Sequence, residues 1–197
     1  MLHLILKNAH KTMLVMSAIL LVACSTPPTS VQLQPEISFK QTGEIQQSAL
    51  MWKISSQDQR IAHYLIEVTR GDNAASLINE SQSSRLTIEN LLHEQWAEQG
   101  IALQATSKNT INIQLIKLLA KVEQNSLTYK TDANIVIEVK LTAENKIFNK
   151  TFKSHYGQEG VFRVSEQTVT KQLNDQLSQL LNEIVQDSEL NAKLHQF

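Results

Sequence analysis

The first chemistry on offer lies at Leu21-Val22-Ala23-Cys24. A thiol is the nucleophile that can take a lipid, so an acylation site must carry Cys. The peptidase that follows cuts just before that Cys, so its pocket needs a small residue there, and Ala23 is small. With apolar Leu21 this is the bacterial lipobox pattern. Ahead of it lie a basic start, Lys7, His10 and Lys11, and the apolar run Met13 to Val22. A run of about ten residues fits a signal h-region, whereas a bilayer span needs about 20. Residues 1–23 therefore read as a lipoprotein signal peptide, and Cys24 as the lipidation site, with palmitate among the expected acyl groups. A secreted protein with a coincidental Cys, or a short membrane anchor, explains fewer of these features. Cys24 is the one Cys in the chain, which excludes an intramolecular disulfide and a Cys-based metal site. One acyl chain binds a bilayer only marginally, at about 0.8 kcal/mol per buried methylene, so stable anchoring takes two or more. Ser25, rather than Asp, follows the Cys. That favours the periplasmic face of the outer membrane over retention at the inner membrane.

Other residues invite chemistry and fall short of it. His93-Glu94 would need a second His at position 97 to hold zinc, and Ala97 stands there. Asp58 and Arg60 suit an ion pair fixing a turn, with contact to a partner or ligand as the alternative. His155, Tyr156 and Glu159, beside Gly157 and Gly160, form the densest polar cluster. Acid–base work is conceivable there, but the simpler reading is a turn with Tyr156 capping the core. There is no Gly-x-Ser-x-Gly, no second Cys and no phosphate loop. Glu36, Glu44, Asp58 and Glu159 supply carboxylates for a hydrolase pair, yet no spacing sets two across a cleft. The expectation is no catalytic residue, no metal and no cofactor. Asp58, Arg60, His155, Tyr156 and Glu159 are the candidate interaction residues.

The elements that must position these residues follow from periodicity. Residues 24–30 form a lipidated tether stiffened by Pro27 and Pro28, and residues 31–197 a single α+β domain. All three Pro lie before residue 36 and only five Gly are present, so the body is regular structure. Val31 to Phe39, Leu50 to Ser55 and Ala62 to Thr69 read as strands, with a polar turn over Ser56 to Arg60. Ser83 to Gln99 repeats apolar residues every three or four positions, predicting a helix capped by Gly100. Thr110 to Gln124 and Leu127 to Thr142 alternate with period two, predicting a long antiparallel pair. A phase change near Leu115 and Ile116 predicts a bulge. Ile147 to Tyr156 is the third strand of the meander, and Gly157 to Gly160 a loop. Glu166 to Gln186, capped by Ser165, is the second long helix. The fold class is α+β: a two-layer domain, mainly antiparallel sheet with two long helices on one face. Trp52 and Trp96 are core anchors. The chain has 18 Lys+Arg against 19 Asp+Glu and no basic block, which argues against nucleic acid as a partner.

The order of these features resembles the YajG-type lipoproteins of Gram-negative bacteria. The likeness rests on the lipobox, the Pro-containing tether, Asp58-Gln59-Arg60, a helix ending at Gly100, the segment Ser154 to Gly160, the capped last helix and the Asp187-Ser188 break. It covers essentially the whole mature chain. The family is described as uncharacterised, so the resemblance implies no catalytic residue. The leading expectation is a non-enzymatic accessory or interaction protein, held to the membrane by its N-terminal lipid and meeting an envelope protein. The alternative is a small-ligand binder, for cell-wall fragments or lipids, with its pocket between helices and sheet. A cell-wall hydrolase comes third.

Overall fold

Alternation of apolar and polar residues builds the centre of the molecule. In the computed structural model, which describes residues 30–40 and 47–197, β6 (Thr110–Gln124), β7 (Thr128–Ala143) and β8 (Lys146–Val161) form a long antiparallel meander. Odd positions of β7 from Thr131 to Ala143 are buried, and even positions face outward. The register of β6 on β7 shifts between Leu115 and Lys117, as the phase change predicts, leaving Ile116 unpaired. Ala143 pairs with Lys146 across a two-residue turn, in which Glu144 has φ +51°.

The sheet is mixed. β2 (Met51–Asp58) joins β6 in parallel over residues 110–115, and β3 (Tyr64–Arg70) joins it in parallel over 120–124. β7 occupies the whole opposite edge of β6, so β2 and β3 are successive stretches of one line, interrupted by residues 59–63. The expected turn over Ser56 to Arg60 is thus a break that does not reverse the chain. β4 (Ser76–Glu80), which the sequence did not signal, returns antiparallel to β3 after the Gly71 turn. β1 (Ser30–Val31) lies parallel to β4, and β5 (Ala102–Leu103) parallel to β2.

Two further expectations are corrected. Of Val31 to Phe39, only Val31 is strand. The rest is extended and runs along the second long helix, as described below. Gly157 to Gly160 is not a loop, because β8 stays paired with β7 out to Val161. The glycines sit in the strand for a packing reason. A Cβ on Gly160 would lie 2.5 Å from Cε1 of Tyr129, whose ring covers that position.

The helices start and stop as their caps dictate. The Ser83 hydroxyl accepts from Leu86 N–H to open α1 (Ser84–Glu98), and Gly100, at φ +87°, follows its end. Ser165 opens α2 (Glu166–Gln186), and Asp187 opens α3 (Ser188–Gln196). Among the described residues these three helices and eight strands share one apolar cluster, with Trp52, Trp96, Leu92, Ile111, Ile137 and Leu177 fully buried. Burying each large side chain contributes about 1.5–3 kcal/mol. Trp52 also donates its indole N–H to the Leu194 carbonyl at 3.0 Å, tying α3 to the sheet. The signal, Cys24, the tether before Ser30 and residues 41–46, with Glu44, lie outside the described residues.

Candidate functional site

The break between β2 and β3 buries a charge. The Arg60 side chain is 1% exposed. Its Nε and Nη2 donate to the two Asp58 carboxylate oxygens at 2.9 and 2.7 Å, and Nη2 also donates to Glu80 Oε1 at 2.9 Å. The second Glu80 oxygen accepts from the Ser84 N–H at the start of α1. One guanidinium therefore ties the break, the end of β4 and the first turn of α1 together. Burial works against the Arg60 charge, but its hydrogen bond to Asp58 and the field of Glu80 hold its pKa above the usual value. The Arg60 hydrogen bond in turn holds the Asp58 carboxyl below its ordinary range. Both carboxylates are committed to the guanidinium, so this site is built as a pin.

The structure does not assemble His155, Tyr156 and Glu159. They lie along one strand, where neighbours point to opposite faces. His155 faces outward, 3.3 Å from Asn134 Oδ1 and 3.8 Å from Asp132 Oδ2. Glu159 faces the same way and pairs with Lys130 at 3.4 Å. Tyr156 faces inward, and its hydroxyl donates to Gln158 Oε1 at 2.7 Å. The expected cap on the core is right for Tyr156, and the expected turn around it is not. Exposed pairs of this kind contribute about 0–1 kcal/mol.

A polar seam escaped the sequence reading. Gln172 of α2 donates to the Tyr156 hydroxyl and to Gln158. Gln176 donates to the Ala133 carbonyl at 3.3 Å and to Ser154 at 3.1 Å. The signal was available, since Gln172 and Gln176 are four apart beside the apolar stripe. Also on α2, Asn174, Ser178 and Asn182 repeat the same spacing. Their side chains accept from the N–H groups of Gln34, Glu36 and Ser38 at 2.7–3.0 Å. A row of side chains thus replaces a neighbouring strand for the extended segment.

The remaining candidates scatter. Glu36 lies beside α2, Asp58 at the break and Glu159 at the end of β8. His93 and Glu94 are exposed on α1. Among the described residues no three His, Cys, Asp or Glu side chains form a metal-holding group, and no helix is long and apolar enough to cross a membrane. The space between helices and sheet, where a small-ligand pocket would lie, is occupied by Trp52, Trp96, Leu92, Leu177 and Leu181. A polar groove of about 530 Å³ opens at the surface beside Tyr129, Lys130, Glu159 and Gly160.

Residues 35–195 match the family model described as "Uncharacterized lipoprotein". The chain is 26% identical over 181 residues to "Uncharacterized lipoprotein YajG" of Escherichia coli (strain K12), covering 90% of this chain and 92% of that one. It is also similar in fold to the crystal structure of protein XCC0632 from Xanthomonas campestris. That likeness has a TM-score of 0.57 at 14% identity, over 79% of this chain and 91% of the other.

Proposed function

The chain belongs to the uncharacterized lipoprotein family, and we propose that it is a lipid-anchored interaction protein, not an enzyme, on the periplasmic face of the outer membrane. Cys24 is the acylated residue, and the anchor concentrates the domain beside envelope proteins. One observation carries the interaction reading. β6 to β8 turn one face into the apolar cluster and the other outward. That face bears Lys130, Asp132, Glu138, Lys140, Lys153 and His155, exposed or half-buried and of both signs. Interspersed charges of this kind give specificity and steering more than raw affinity. The partner it suits is an envelope protein with a complementary polar surface.

The test is site-specific photocrosslinking in cells from position 140 on this face, with position 171 on α2 as the control. One discrete envelope protein captured from 140 and absent from 171 is the expected result. The same products from both positions, or none from 140, would overturn the assignment.

A further inference from the structure

Three large apolar side chains stand in solvent together at one end of the sheet. Leu127 is 72% exposed, Val161 69% and Phe162 71%. Val161 pairs with Thr128, the neighbour of Leu127, and the Phe162 N–H donates to the Leu127 carbonyl at 2.6 Å. Phe162 has φ +65°, a region that a residue with a Cβ avoids. The chain accepts that strain while the ring stays in water. Single exposed apolar residues are ordinary, but three at one end of a sheet mark a contact surface.

β1, the first described strand, has its N-terminal end directed toward this same end. β1 runs parallel to β4, with Ser30 beside Asn79. β4 runs antiparallel to β3, which finishes at Arg70 beside Gln124, the last residue of β6. Asn79 pairs with Tyr64, so Ser30 sits six residues from the Arg70 end of β3, and the line of β1 points to that end, where β6 ends, β7 begins and β8 ends. A second observation agrees. Val31 shares a groove with Glu166 and Gln167 in the first turn of α2, just after Phe162. Cys24 lies six residues before Ser30, a reach of at most about 22 Å when fully extended.

We propose that Leu127, Val161 and Phe162 rest in the surface of the bilayer that holds the acyl chains, as a second contact beside the anchor. This inference rests on the reading of Cys24 as acylated. A tether of at most about 22 Å before β1, whose line points this way, favours this end over the Glu144 turn at the other as the one against the lipid. Amphipathic surfaces insert apolar side chains about 5–10 Å into the headgroup boundary. Arg70 and Arg163 flank the group across a groove shared with Asp72, and guanidinium groups suit lipid phosphates. The contact would stand the sheet on its end and keep the outer face of β6 to β8 turned away from the lipid.

The test uses the full acylated chain in vesicles of phosphatidylethanolamine and phosphatidylglycerol with brominated acyl chains. Acylation consumes Cys24, so a thiol introduced by Phe162→Cys or Val161→Cys is the one site for a fluorescent label. Glu144→Cys is the control. Brominated lipid is expected to quench the probes at 162 and 161, placed at interfacial depth, and to leave the probe at 144 unquenched. Unquenched probes at 161 and 162 on a chain whose intact mass shows acylation would overturn this inference alone, as would quenching equal to that at 144. That includes the case in which a second copy covers the patch. A wild-type mass without acyl groups would overturn the anchor reading and this inference with it.

Discussion

Arg60 is the residue on which the most local order depends. Arg60→Ala strips two carboxylates of their counter-charge and frees the start of α1. It should cost about 3 kcal/mol in urea unfolding, the lower end for breaking a buried pair because the carboxylates keep some water. Arg60→Lys keeps the charge but not the fork, and should recover part of that loss. The pH dependence follows from Asp58. Its folded pKa lies below the ordinary 3.8, chiefly through the Arg60 hydrogen bond. The unfolded chain therefore takes up the proton first. The stabilisation is complete above about pH 4 and is lost as pH falls toward the folded value. Asp58→Asn should flatten that acid limb in stability-versus-pH measurements. His195 behaves in the opposite sense of charge. Burial lowers its pKa from 6.5, so the unfolded chain protonates first and stability falls as pH drops below about 6.5. His195→Gln should remove that loss. The sequence made the Asp58–Arg60 pair legible because the two are neighbours. Glu80 was not, because nothing local marks a partner twenty residues on.

At the scale of elements, α2 does two jobs with one spacing. Its apolar residues pack the core, and Asn174, Ser178 and Asn182 hold residues 34–39 against it. Asn182→Ala leaves the N–H groups of Ser38 and Phe39 without an acceptor. It should cost about 1–2 kcal/mol and speed hydrogen exchange at those two amides, with little change in β6 to β8. The alternation of Val31 to Phe39 suggested a strand because an extended segment has period two whatever satisfies its backbone. Pro35, with no N–H to give a ladder, suits an edge or an irregularity. The Gly157 to Gly160 stretch misled for the converse reason, since glycine marks a close approach as readily as a turn. Gly160→Ala should cost about 1 kcal/mol by displacing the Tyr129 ring. A double-mutant cycle with Tyr129→Ala should find the two sites strongly coupled.

For the whole molecule, the long helices, the meander and its bulge were legible because each is written in the local period of the chain. The parallel docking of β2 and β3 on one edge of β6 was not, because pairing over fifty residues leaves no local trace. The candidate site divided in the same way. Cys24 is a motif in consecutive residues, whereas the outward sheet face and the apolar end exist only once strands are paired. The account as a whole depends on the anchor. Its most direct test is intact mass and membrane fractionation of the wild type beside Cys24→Ala. The prediction is an acylated wild type in the outer-membrane fraction and an unmodified variant released to the soluble periplasm. A variant that stays in the membrane, or a wild type with no acyl mass, would contradict it.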